Sequence, residues 1–211
     1  MHFLDPDSKI FQVLSFVADL FILSALFFIS CIPIITIGAS ATALYQVFRK
    51  KDDFKSSLVL RFIYAFRQNF RPATICWMIQ LFITVFLLVD LSLLHYMNTS
   101  LAHFLVFVCL VLLLLSVSVG AMVYPQIARY QSTVRKYWKN ALLISFGSSI
   151  RGIANLICFF LPEIILLLWP KAYFYCLLLR VFPGLGLQFY LSSLLMDKIF
   201  LPLEEDTPDK V

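Results

Sequence analysis

The chain has 211 residues, 61% hydrophobic and 14% charged, with a formal net charge of +5 and a mean hydropathy of +0.90. Soluble domains carry roughly 25% charged and ~45–50% apolar residues, so a water-exposed globule is excluded and the composition is that of a polytopic membrane protein. The cationic excess then belongs to loops held on one side of a bilayer rather than to a nucleic-acid surface.

In chain order, hydropathy gives about five transmembrane helices, at residues 11–37, 73–94, 102–124, 152–169 and 172–195, in a single all-α membrane domain over 1–211 with a cytoplasmic tail at 197–211. Each is near the ~20 residues that cross hydrocarbon. The first is expected to be retained, because its leading segment MHFLDPDSK is acidic and no small-x-small cleavage site follows. The connection after the first span carries Arg49, Lys50, Lys51, Lys55, Arg61, Arg67 and Arg71; the one after the third carries Arg129, Arg135, Lys136, Lys139 and Arg151. The other two connections hold only Lys171. This alternation predicts an N-terminus outside and a C-terminus in the cytoplasm. Trp77 and Trp138 fit an inner aromatic belt, and Tyr96, Trp169 and Tyr173 an outer one.

Where the first span ends, TIGASATALYQVFRKKDD joins an apolar run to a basic cluster. Pro33 restricts the helix, Gly38 is placed as a C-terminal cap with positive φ, and Ser40 as the N-cap of a helix from Ala41. Ala39, Ala41 and Ala43 allow close backbone approach, or belong to a turn that happens to be small.

At ~100° per residue, Phe54, Leu58, Val59, Phe62, Ile63, Phe66 and Phe70 share an arc opposite Ser57, Arg61, Arg67, Gln68 and Arg71. That pattern predicts a cytoplasmic amphipathic helix lying in the inner interface with its cations toward anionic headgroups. The second basic loop repeats it: Ile127, Tyr130, Val134, Tyr137, Trp138 and Ala141 oppose Arg129, Arg135, Lys136, Lys139 and Asn140. Gly38-Ala39, Tyr45-Gln46 and Arg71 are answered by Gly120-Ala121, Tyr124-Pro125-Gln126 and Arg151, which raises a parallel internal repeat against a chance match in an apolar chain.

The stretches VADLFILSALFFISCIPIITIGASATALYQV, FRQNFRPATICWMI, KNALLISFGSSIRGIANLICFFLP and LSSLLMDKIF resemble the YesL-like family of bacterial integral membrane proteins, from about residue 11 to 203. Ala41 stands where that family more often has Thr. The resemblance implies a multi-pass protein of the bacterial plasma membrane, associated with carbohydrate uptake and utilisation alongside ATP-binding-cassette sugar importers and their sensor systems. It implies no catalytic residues.

From the residues themselves, no phosphate loop, HExxH or GxSxG occurs. His95 and His103 fall around an outer loop without a third metal ligand in reach of their spacing, and the five cysteines lie in apolar spans as small buried hydrophobes. Neither an enzyme nor a cofactor is expected. What remains is an intramembrane polar network, Asp19, Asp90, Glu163 and Arg180, on four helices and expected at similar depth in the outer half. Such charges avoid lipid, at ~2.5–3.5 kcal/mol each. They form either structural ion pairs, with Glu163–Arg180 first, or a cavity favouring cations or polyhydroxylated ligands. Two function classes follow. One is a non-catalytic accessory or signalling subunit whose partners are sugar importer subunits or a membrane sensor kinase. The other is a transporter or channel for a small solute.

Overall fold

In the computed structural model, the structure describes residues 9–49, 57–97, 99–147, 157 and 183–205. Every regular element among them is helical: α1 (Lys9–Ser30), a 3-10 turn (Ile34–Thr36), α2 (Ile37–Arg49), α3 (Leu58–His95), α4 (Ser100–Arg129), α5 (Val134–Gly147) and α6 (Leu185–Glu205). Three of these, α1, α3 and α4, are long and apolar enough to cross a membrane. The fold is that of an all-α membrane protein.

The first predicted span is two helices rather than one. Pro33 has no N–H to continue the ladder, takes an extended conformation and opens the 3-10 turn. The chain then doubles back as α2. Ser40 donates to Ser30 Oγ at 2.9 Å near the bend. Further along, Phe27 and Tyr45 both pack on Phe189, and Phe16 and Phe48 both pack edge-on on Tyr190. α1 and α2 are thus an antiparallel hairpin, with the beginning of α1 beside the end of α2. The single helix expected over 11–37 is thus replaced by α1, the bend and the start of α2.

Gly38 and Ser40 also differ from expectation. Both lie inside α2, and no described glycine has positive φ. Ser40 Oγ bonds back to Thr36 O at 3.0 Å instead of capping a helix start. The small residues do serve close approach. Ten consecutive residues of α2, Gly38 to Val47, are buried, because a helix of Gly, Ala, Ser and Thr lets neighbours reach its backbone.

α3 corrects the interfacial helix predicted over 54–71. Its 38 residues run through Pro72 into the second span as one helix, ~57 Å long at 1.5 Å per residue. The predicted apolar arc divides between two environments: Phe62 is buried and Phe66 packs on the core, whereas Val59, Ile63 and Phe70 are exposed. α4 contains the third span and extends through Pro125 to Arg129. Thr99 caps its start, its Oγ1 accepting from Ala102 N at 3.3 Å.

The second basic segment is split. Ile127 and Arg129 belong to α4, an extended turn follows, and α5 packs back on α4 through Tyr137 and Ala141. On α5 itself the faces are as expected, with Arg135, Lys136, Lys139 and Asn140 exposed. α6 also departs from expectation, since it continues to Glu205 where a tail from 197 was predicted, and it buries Ile199 and Phe200. The repeat gains no support here: Gly38–Tyr45 lies on a separate short helix, whereas Gly120–Tyr124 lies within unbroken α4. The fourth predicted span and the fifth up to residue 182 lie outside the described residues, apart from helical Ile157.

Candidate functional site

Polar chemistry concentrates where α2 meets α3, α4 and α6. Gln46, 8% exposed, donates from Nε2 to Gln68 Oε1 at 3.0 Å and accepts from Asn69 Nδ2, which also donates to Ala65 O at 2.9 Å. Two adjacent residues of α3 are thereby tied to one side chain of α2. Two turns nearer the start of α3, Arg61 donates to Val47 O at 3.1 Å, placing a cation on the free carbonyls at the C-terminus of α2. On the opposite side of α2, the Tyr45 hydroxyl lies 2.7 Å from Ser192 Oγ of α6. Tyr45, Gln46, Asn69 and Ser192 are buried, where an unmade hydrogen bond costs ~1–3 kcal/mol, and each is bonded.

Gly38 makes a closer approach than Gly120 or Gly186. A Cβ built there would lie 2.6 Å from Ala73 O and 2.7 Å from Trp77 Cβ. Gly186 similarly brings α6 onto α1, its N–H donating to Ser24 Oγ at 3.0 Å. In the spanning parts of α3 and α4, Gln80 fills the space left by Gly120 and donates to Ser116 Oγ at 3.2 Å.

Arg129 and Asp197 form an ion pair joining α4 to α6, with 5% and 32% of their side chains exposed. The guanidinium also lies over the Phe200 ring, 5.0 Å from its centroid. Arg129 is therefore a buried structural cation and not the membrane-surface one expected. Beside the pair, a cavity lined by residues including Tyr45, Arg49, Arg129, Ser193 and Asp197 measures about 10 Å³, room for about one water molecule. The Tyr137 hydroxyl, on α5, donates to Tyr130 O at 2.7 Å and accepts from Ser132 N at 2.8 Å. Burial pushes its pKa above the usual phenol range, against the opposing pull of the Ser132 N–H.

The intramembrane polar network is not assembled among the described residues. Asp19 lies near the Phe16–Tyr190 contact, toward the end of α2, on the helix arm leading away from the bend. Asp90 lies thirteen residues beyond Trp77, whose Nε1 donates to Ile34 O at the bend. The two carboxylates point to opposite ends of the bundle, ~16 and ~20 Å from the bend at 1.5 Å per residue, which corrects their expected common depth. Glu163 and Arg180, and with them the expected pair, lie outside the described residues. Of the predicted surface cations, Arg67, Arg71, Lys136 and Lys139 are exposed, and Arg61 is half-buried. No group of three or more potential metal ligands converges among the described residues.

The α2 junction was partly visible as a small-residue run. Its polar members, Gln46, Asn69 and Ser192, were missed. A Gln or Asn set in an apolar stretch is the signal that points to them, because such a side chain requires a partner helix.

Helices of bilayer length joined through buried amide and hydroxyl contacts define a helical integral membrane protein. Residues 20–91, comprising the second half of α1, α2 and most of α3, match a family model described as "Protein of unknown function, DUF624". No curated protein and no solved structure matches the chain.

Proposed function

We propose that the protein is a non-catalytic integral membrane component of bacterial carbohydrate uptake or utilisation, acting through membrane-protein partners rather than moving solute itself. The carbohydrate assignment rests on the YesL-like resemblance, whose most specific stretch falls largely within the matched residues 20–91. The observation that carries the accessory reading is the engagement of the α2 junction. Gln46, Gln68 and Asn69 are bonded to one another, as are Tyr45 with Ser192 and Arg129 with Asp197, so the polar groups of this junction tie helices together.

On this reading the protein resides in the plasma membrane with its basic segments toward the cytoplasm and anionic lipid. Its partners are sugar importer subunits or a membrane sensor kinase; it needs no cofactor and binds no nucleic acid. Cross-linking in cells grown on different carbohydrates, followed by purification in mild detergent, tests it. Importer or sensor subunits should co-elute. Sugar accumulation by proteoliposomes containing this protein alone would overturn the reading in favour of a transporter.

A further inference from the structure

α2 and α4 both end at the cavity beside the Arg129–Asp197 pair. Arg49 is the last residue of α2 and Arg129 the last of α4, and both line this space together with Asp197 of α6. Two cations and one anion therefore face one small cavity, a sum of +1. They are not used equally. Asp197 is taken by Arg129. Arg49 is exposed, and its side chain has neither ion pair nor hydrogen bond among the described residues, although Asp197 lines the same cavity. Its guanidinium cannot shed the charge by deprotonating.

An unpaired cation on an open surface is ordinary. This one stands beside an enclosed space of about 10 Å³, room for one oxygen-sized atom. Counting its open side, the space reaches about 210 Å³. Pro125, Ala128 and Met196 supply apolar walls, so charge attraction there is screened less than on open surface. The negative ends of α2 and α4 would oppose an anion, but both are partly covered. Arg61 donates to Val47 O at 3.1 Å, and Tyr130 N to Gln126 O at 2.8 Å.

We propose that Arg49, with Arg129 held in place by Asp197, forms a binding site for one phosphate group. One phosphate oxygen enters the enclosed space and the rest of the group lies across the mouth on Arg49. A guanidinium suits this ligand because its planar fork matches two phosphate oxygens at once. Arg129 carries five N–H donors, more than one carboxylate accepts. The phosphate belongs to an anionic lipid headgroup or is free in solution. The site does not depend on the carbohydrate reading. It is also separate from Arg67, Arg71, Lys136 and Lys139, none of which lines the cavity.

The test compares the full chain with Arg49→Gln and, as a control, Arg67→Gln, each freed of lipid in neutral detergent. Without ligand all three should melt at the same temperature, because Arg49 bonds nothing in the protein. A lower melting temperature for Arg49→Gln alone would make it a structural cation and overturn the site. Melting is then followed as phosphatidylglycerol, diacylglycerol of the same chains, or inorganic phosphate is added, since a ligand of the folded state raises it. The unaltered chain and Arg67→Gln should respond to a phosphate-bearing probe, Arg49→Gln should need about tenfold more of it, and diacylglycerol should do nothing. A response to phosphatidylglycerol alone assigns the site to a lipid headgroup; a response to inorganic phosphate as well assigns it to free phosphate. No response to either, or equal weakening by both variants, would overturn the proposal and leave the membrane reading untouched.

Discussion

Gly38 shows how much one hydrogen in place of a methyl group decides. With Ala73 O and Trp77 Cβ both under 3.0 Å from any Cβ, Gly38→Ala must push α2 off α3 and should destabilise the protein by about 1–3 kcal/mol, the usual cost of overpacking, seen as a lowered melting temperature in detergent. The run of small residues made this approach legible in the sequence, although its location in the first turn of a helix was not. Arg129 was not legible at all. Its partner Asp197 is 68 positions away, and nothing local separates a paired buried arginine from the exposed lysines that follow it. Arg129→Ala should cost up to about 3 kcal/mol, the low end for breaking a buried pair because Asp197 keeps some solvent. Adding Asp197→Asn should recover part of that loss by removing the orphaned carboxylate.

At the scale of elements, periodicity found the helices but not what their apolar faces meet. A helical wheel separates polar from apolar arcs, yet an arc bound for another helix and an arc bound for lipid look identical on it. Phe62 and Ile63 illustrate the difference, one 3% and the other 39% exposed on adjacent positions of α3. Phe62→Asp should abolish a monodisperse folded species in size-exclusion chromatography, because it buries an unpaired carboxylate against α2. Ile63→Asp should leave the folded peak in detergent. Pro33 and Pro72 carry the same lesson in opposite senses. Both are expected to end or kink a helix, and Pro33 does. α3 instead runs through Pro72, held on both sides of it by Asn69 on Gln46 and by Ala73 against Gly38.

Across the whole molecule, composition alone established the class, and the structure adds how a short, small-residue helix can hold a membrane protein together. α2 joins two core clusters, one reaching α3, α4, α5 and α6 through Ala39 and the other reaching α1, α3, α4 and α6 through Ala43 and Leu44. The exposed cations Arg67, Arg71, Lys136 and Lys139 lie outside those clusters. Replacing all four with Gln should reduce the anionic lipid retained through purification without altering the melting temperature, and raising salt should have the same effect, since surface charge is screened over ~8–10 Å. The central claim is that α2 is the interior of this protein rather than a loop-side appendage. Hydrogen exchange in lipid nanodiscs tests it most directly. The amides from Gly38 to Val47 should be protected as strongly as those in the spanning parts of α3 and α4, and exchange of α2 within seconds while those helices remain protected would contradict it.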